Sequence, residues 1–144
     1  MLLILAGIAW GGMVVFNLFS KPPSGLGVNE GRLAACPASP NCVSSQADPG
    51  DSHHIEPFQL APGSGSPIDR IAEVIEAQPR ARIVSRDEDY LHAEFTSAVM
   101  RFVDDVEFYA PPGESILHVR SASRIGYSDL GANRKRVELL RKQY

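Results

Sequence analysis

Four stretches of alternating side chains between residues 81 and 123 constrain the fold more than any other feature of this sequence. They read ARIVSR, DYLHAEFTS, MRFVDDVEFYA and SILHVRSAS. In the second stretch Leu91, Ala93 and Phe95 alternate with polar residues, the period-two pattern of a strand with one buried face. RDEDY and APPGES between stretches are turn sequences of hairpin length. We therefore predict three or four consecutive antiparallel strands, a meander, with helices covering one face.

Two helices are expected on that sheet, one before it and one after it. SPIDRIAEVIEAQPR predicts the first, because Ser66 can cap its N-terminus and Pro67 suits its first position. Its apolar side chains recur at helical spacing: Ile68, Ile71, Ala72 and Ile75.

The second helix is expected at the C-terminus. It should begin near Ser128 or Asp129, either of which can act as a cap, with Leu130, Val137 and Leu140 facing inward. The fold class predicted from these elements is α+β.

The N-terminus predicts a membrane segment. Residues 1–20, MLLILAGIAWGGMVVFNLFS, contain no charged side chain, and about 20 apolar residues cross a bilayer as a helix. A cleavable signal peptide is the alternative, but a basic start and a small-x-small cleavage site are missing. We predict a transmembrane anchor at 1–20, a Pro-, Gly- and Ser-rich stalk at 21–35, and a globular domain at 36–144.

The side of the membrane on which the domain lies is indicated by two opposing signals. Lys21 and Arg32 follow the span and weakly favour the cytoplasm. Cys36 and Cys42 lie in CPASPNC, and two cysteines in an exported domain most simply form a disulfide, with two free thiols as the alternative. We place the domain outside the inner membrane, in the periplasm or an equivalent thylakoid lumen.

The charges are unevenly distributed along the chain. Residues 48–119 hold fourteen Asp and Glu against five Arg, whereas residues 120–144 hold seven Lys and Arg against two acids. Such a basic end can meet nucleic acid, anionic lipid or an acidic protein, or it can be a solvated face opposite an acidic sheet. We expect lipid and protein partners and no nucleic acid.

The acidic strand offers one candidate site. Asp105 and Glu107 share a face, and a neighbouring strand could bring Arg120 or His118 beside them. General acid and base chemistry is then conceivable, because a carboxylate beside an arginine stays ionised while a histidine titrates near neutrality. The alternative is a cross-strand ion pair.

The basic corner SASRIGYSDLGANRKRVELL offers another. Its guanidinium groups and hydroxyls could surround an anion, or Arg120 or Arg124 could bind Asp104, Asp129 or turn carbonyls and fix the strand-to-helix corner. The candidate ligand or docking residues are Asp105, Glu107, Arg120, Arg124, Tyr127 and Arg134.

No catalytic, metal or cofactor residue is predicted. The four histidines lack metal-site spacing, no serine lies in G-x-S-x-G, and no phosphate loop or dinucleotide fingerprint is present.

The sequence resembles a family, domain of unknown function 1499. The resemblance rests on CPASPNCVSSQA, IEPF, RFVDDVEFY and above all HVRSASRIGYSDLGANRKRVELLR, and it covers roughly residues 33 to 142. The family is found in bacteria and in plastid-containing organisms, and the resemblance implies an exported, membrane-attached or lumen-side domain. The family has no established activity, so the resemblance implies no catalytic role for any residue.

These observations predict a non-enzymatic accessory subunit, anchored by one membrane helix, whose domain docks on a larger membrane complex, with photosynthetic or electron-transfer complexes as preferred hosts. The alternative is an enzyme or small-anion-binding domain with a site between the acidic strand and the basic corner.

Overall fold

The computed structural model describes residues 20–144. The predicted membrane anchor therefore falls outside the described residues except for Ser20, and it stays a prediction. Within residues 20–144, no helix is both long enough and apolar enough to cross a bilayer.

The described residues form six strands and two helices. In chain order these are β1 (Cys42–Ser44), β2 (Phe58–Gln59), α1 (Pro67–Glu76), β3 (Ala81–Arg86), β4 (Tyr90–Thr96), β5 (Val103–Tyr109), β6 (Ile116–Ser123) and α2 (Ala132–Gln143).

The sheet is antiparallel and has the strand order β1-β6-β5-β4-β3. Strands β3 to β6 are the predicted meander, each paired with the next. The short strands β1 and β2 both pair with β6, on the side opposite β5. The small α+β domain with an antiparallel sheet and two helices is confirmed.

Helix α1 forms for the reasons expected from its sequence. The hydroxyl of Ser66 accepts from the backbone N–H of Asp69 at 3.2 Å, which satisfies one of the amides left open at a helix start. The four predicted apolar residues are all buried, and the helix ends at Glu76, three residues before Pro79. α1 packs on β3 and β4, while α2 packs on β6 and β1.

One face of the sheet carries the hydrophobic core between strands and helices. Its buried residues are Val43, Ile55, Phe58, Ile68, Ile71, Ala72, Ile75, Leu91, Ala93, Phe95, Val106, Phe108, Leu117, Val119, Val137 and Leu140. The predicted alternation in β4 is thereby confirmed, since its three apolar residues point into this core.

Helix α2 begins later than its sequence suggested. Val137 and Leu140 are buried as predicted, but Leu130 is 87% exposed and precedes the helix. Its φ of 53° is left-handed, and Gly131 follows at 78°, so the chain turns before the first helical residue. The Asp129 carboxylate still accepts from the N–H groups of Gly131 and Asn133 at 2.9 and 2.8 Å, which ties this turn to the helix start.

The opposite face of the sheet is covered by the segment that leads into the domain. Ser20 and Gly27, the first inside the predicted anchor and the second inside the predicted stalk, hydrogen-bond to groups on this face. Leu33 is buried, and its N–H donates to the side chain of Gln46 at 2.8 Å. The segment 20–33 thus lies on the domain.

Candidate functional site

The covered face of the sheet is charged because polar side chains occupy the alternate positions of three adjacent strands. Strand register places Glu94 opposite Asp105 and Glu107 opposite Arg120. We call the following group the charge cluster: Tyr90, His92, Glu94, Asp105, Glu107, Arg120 and Arg124.

Asp105 and Arg124 form the centre of the cluster. Nε of Arg124 donates to Oδ2 of Asp105 at 2.7 Å, and Nη2 donates to Oδ1 at 2.6 Å. Nε2 of His92 lies 2.8 Å from the same Oδ1 and donates to it. The side chains of Asp105, Arg124 and His92 are 2, 5 and 6% exposed. The Arg124–Asp105 pair is therefore bidentate and almost completely shielded from solvent.

Glu94 extends the cluster toward the sheet edge. Its carboxylate accepts from Nη2 of Arg124 at 2.5 Å and from Nη2 of the exposed Arg82 at 2.6 Å. A third nitrogen of Arg124, Nη1, donates to the carbonyl of Ser20 at 2.7 Å. Every nitrogen of that guanidinium therefore has a partner.

Glu107 forms a second centre and is fully buried. One carboxylate oxygen accepts from the N–H of Gly27 at 2.7 Å and from the hydroxyl of Tyr90 at 2.8 Å. The other accepts from Nη1 of Arg120 at 3.3 Å. Nε of Arg120 has no hydrogen-bond partner among residues 20–144, so Arg120 is less completely held than Arg124.

The protonation states follow from these contacts. Burial by itself raises the pKa of Asp105, but the hydrogen bonds from Arg124 and His92 outweigh it and bring that pKa below its ordinary value. The same balance, with Arg124 and Arg82 as donors, lowers the pKa of Glu94. Burial and the negative charge of Glu107 strongly raise the pKa of Tyr90, which stays a neutral donor. Asp105 and Glu94 are therefore held as carboxylates.

Four of the six candidate residues meet in this cluster: Asp105, Glu107, Arg120 and Arg124. Tyr127 lies instead in the loop after β6, with 74% of its surface exposed. Arg134 donates to the carbonyl of Ser52 at 2.8 Å, beside a small cleft lined by residues of the disulfide loop and the start of α2.

His118 does not join the acidic strand in the way considered from the sequence. It lies beside Ser45, whose Oγ is 3.0 Å from Nδ1. That Oγ also accepts from the N–H of Val119 at 2.9 Å, so its own proton is directed to His118. Burial lowers the pKa of His118, which favours the neutral ring that accepts this proton. The Ser45 hydroxyl thus takes the place of a backbone carbonyl as the acceptor for the N–H of Val119 at the end of β1.

A second polar network lies on the core face and was missed from the sequence. Asp104 shares that face with Val106 and Phe108, and Nη2 of Arg136 donates to it at 2.5 Å. Of the partners considered for Arg120 and Arg124, which were Asp104, Asp129 and turn carbonyls, the two acids are not used, since both arginines bind acids of the opposite face. An acid between two core positions was the available signal, because it demands a basic partner.

Asn133 is the centre of this second network and has no exposed surface. Its Oδ1 accepts from Ser121 Oγ at 2.5 Å and from Arg136 Nη1 at 2.7 Å. Its Nδ2 lies within 3.2 Å of acceptors on Asn41, Ser123 and Asp129. α2 is thereby fixed to β6 and to the loop before β1, which is the corner role considered for this passage.

Cys36 and Cys42 form a disulfide with a Cα–Cα distance of 5.7 Å. The predicted pairing is confirmed. Asn41 lies inside this ring and donates to the carbonyl of Gly126 at 2.7 Å, so the ring contacts the loop after β6.

The arrangement is better suited to stability than to chemistry. A general base must reach a substrate proton, but Asp105 and Glu107 are buried and their oxygens are occupied by Arg124, His92, Gly27 and Tyr90. An open cleft of about 620 Å³ lies between residues 25–36 and 44–53, and it is lined by none of the six candidates. Within residues 20–144, no three His, Cys, Asp or Glu side chains are grouped as metal ligands.

These features define a class: a small α+β domain in which a helix-covered meander carries a buried charge cluster on its other face, with one disulfide at its edge. The chain belongs to the DUF1499 family, a family of proteins of unknown function, whose sequence profile matches residues 32–144. No curated protein and no solved structure matches the chain.

Proposed function

We propose that this protein is a non-enzymatic accessory subunit, held in the membrane by residues 1–20, whose domain docks on a larger membrane complex. The observation that carries the proposal is the pair of hydrogen bonds from the charge cluster to Ser20 and Gly27. They hold the last residue of the apolar segment, Ser20, and the chain that follows it on the face of the sheet.

This connection supports docking because it orients the domain. A flexible stalk would let the domain sample many orientations, each of which must be given up on binding. Here the join between anchor and domain is held by Arg124 and Glu107, both of which are buried. An anchor and a domain with one relative orientation can bind two parts of a partner with little further loss of entropy.

The closed state of the charge cluster supports a non-enzymatic role. Its carboxylates are satisfied by the protein's own donors, and a ligand would have to break the Arg124–Asp105 pair to reach them.

The Cys36–Cys42 disulfide supports a periplasmic or lumenal location, because disulfides persist in oxidising compartments. For the host we propose a photosynthetic or electron-transfer complex, since similar proteins occur in plastid-containing organisms.

The test is gentle detergent extraction of the full-length chain followed by native electrophoresis. We expect comigration with a larger complex. A variant carries a flexible six-residue insertion between Ser20 and Lys21, which keeps the apolar segment and the domain but relaxes the connection between them. We expect a smaller fraction of this variant in the complex. The control carries the same insertion in the exposed turn at Gly63 and should comigrate as the unaltered chain does. Migration of the unaltered chain only as a free monomer would refute the proposal.

A further inference from the structure

Three of the six exposed large apolar side chains among residues 20–144 lie at one end of the sheet. This end is defined by the β4–β5 loop, residues 97–102, and by the loop after β6, residues 124–131. The two loops adjoin, because the N–H of Arg124 donates to the carbonyl of Val103 at 3.1 Å. We call it the loop end.

The three most exposed large apolar residues of the described chain lie in these two loops. Val99, Tyr127 and Leu130 are 67, 74 and 87% exposed, whereas the next, Leu139 on α2, is 51% exposed. Single exposed apolar residues are ordinary, but three of them in two adjoining loops indicate that another surface covers this end of the domain.

Hydrogen bonds hold both loops in shape. Ser97 N donates to the carbonyl of Phe102 at 2.8 Å, and Phe102 N donates to Ser97 Oγ at 2.9 Å, which closes the loop that carries Val99. The carbonyl of Gly126 is held by Asn41. The left-handed turn at Leu130 is stabilised by Ser128 Oγ, which accepts from its N–H at 3.3 Å. A leucine in this conformation costs about 1–2 kcal/mol, so its outward position is maintained against strain.

The apolar N-terminal segment joins the domain at this same end. Ser20 binds Arg124, which reaches Asp105, and Gly27 binds Glu107, which lies two residues farther from the loop end along β5. The chain therefore runs away from the loop end as it continues into the domain. Residues 1–19, which precede it, contain no charged side chain, and about 20 such residues are the length that crosses a bilayer.

The charges at the loop end favour an anionic surface. Arg101 lies in the first loop, and Lys21 is exposed directly after Ser20. The one acid of the second loop, Asp129, is engaged by backbone N–H groups at the start of α2. Lys and Arg close to an anionic bilayer each contribute about 1 kcal/mol to attraction, and tyrosine is enriched at the headgroup level.

We propose that the loop end rests on the membrane surface, with Val99, Tyr127 and Leu130 in the headgroup region of an anionic bilayer. This inference rests on the membrane anchor of the proposed function and adds to it the face that the domain turns toward the lipid.

Tryptophan fluorescence in lipid nanodiscs tests it with the full-length chain. The discs contain phosphatidylcholine and phosphatidylglycerol with brominated acyl chains, which quench tryptophan at the membrane. Trp10 is the only native tryptophan, so reporters are built on Trp10→Phe. Tyr127→Trp and Leu130→Trp probe the loop end, and Leu139→Trp on α2 is the matched exposed control. We expect the emission of the Tyr127→Trp and Leu130→Trp reporters to be quenched and the emission of the Leu139→Trp control to be unchanged.

Each other outcome has a definite meaning. In the unaltered chain, quenching of Trp10 reports the anchor separately. Quenched Trp10 with unquenched reporters at 127 and 130 would overturn the membrane-facing surface and leave the anchor intact. Unquenched Trp10 would overturn both. Equal quenching of position 127 in discs of phosphatidylcholine alone would overturn the anionic preference. If the reporters at 127 and 130 were unquenched in the discs but shielded from a water-soluble quencher in native membranes, the surface would belong to a protein partner and the lipid assignment would be overturned.

Discussion

Arg124 holds Asp105 through two nitrogens at 2.7 and 2.6 Å, in a site where both side chains are at least 95% buried. The same guanidinium also binds Glu94 and the carbonyl of Ser20, so it joins three strands and the N-terminal segment.

Loss of Arg124 should therefore destabilise the domain. Arg124→Met leaves Asp105 charged and buried, which costs about 3–5 kcal/mol. We expect a large drop in the thermal midpoint of the full-length chain in detergent. Arg134→Met, which removes one exposed hydrogen bond to Ser52, is the control and should cost about 1 kcal/mol or less.

A double variant distinguishes a stabilising role of the Arg124–Asp105 pair from a role in binding a ligand. Arg124→Met with Asp105→Leu removes both buried charges and should recover part of the lost stability. If Arg124→Met instead kept the midpoint of the unaltered chain and lost binding of a small anion, the cluster would be a binding site.

Acid should weaken the domain through Asp105. Its pKa lies below the ordinary value of 3.8 in the folded chain, so its contribution is fully present above pH 3.8 and is lost as the pH falls through the folded pKa. Asp105→Asn lacks this titration. Thermal midpoints measured against pH should show a gap between the two chains that is widest near neutrality and narrows below pH 3.8. A gap independent of pH would contradict the assignment.

The disulfide should contribute modestly because its ring is small. Cys36 and Cys42 are six positions apart, and loop closure of that size corresponds to about 2 kcal/mol. Reductant should lower the thermal midpoint of the unaltered chain to that of the Cys36→Ala, Cys42→Ala variant and leave the variant unchanged. An unaltered midpoint after verified reduction would argue against this contribution.

Asn133 should be indispensable to the corner. Asn133→Leu has a similar volume but removes the acceptor of the Ser121 hydroxyl proton and one donor each to the Asn41 carbonyl and the Asp129 carboxylate. The carbonyl and the carboxylate keep backbone N–H donors, so we expect a total loss of about 1–3 kcal/mol, mainly from the hydroxyl left without its acceptor. Denaturant titration of the full-length chain measures the loss. Lys135→Leu on the same helix is exposed and should stay within about 0.5 kcal/mol; comparable losses would mean that the helix, and not the network, is responsible.

Much of the fold follows from local patterns. Period-two alternation placed Leu91 in the core and put Asp105 and Glu107 on one face, and capping residues with spaced isoleucines predicted α1. These features depend on neighbours a few positions apart, which the sequence displays directly.

The partners within the cluster could not be predicted in the same way. Arg124 follows the last residue of β6, so its direction depends on how the chain leaves that strand, and it binds Asp105 instead of Asp104. Arg136 binds Asp104 because α2 crosses the other face. The covering of the charged face by residues 20–33 depends on pairs 80 and 104 positions apart, for which a Pro- and Gly-rich segment has no periodic signal.

The contact between Ser20 and Arg124 also has a consequence for the order of folding. It closes a loop of 104 residues, so the entropy lost in making it is recovered only after β4, β5 and β6 have assembled the cluster beneath it. In a truncated or incompletely folded chain this contact is absent, so Ser20 is joined to the domain only through the Pro- and Gly-rich segment that follows it. The contact forms only when folding is complete, so Arg124 both stabilises the sheet and ties Ser20 to the folded domain.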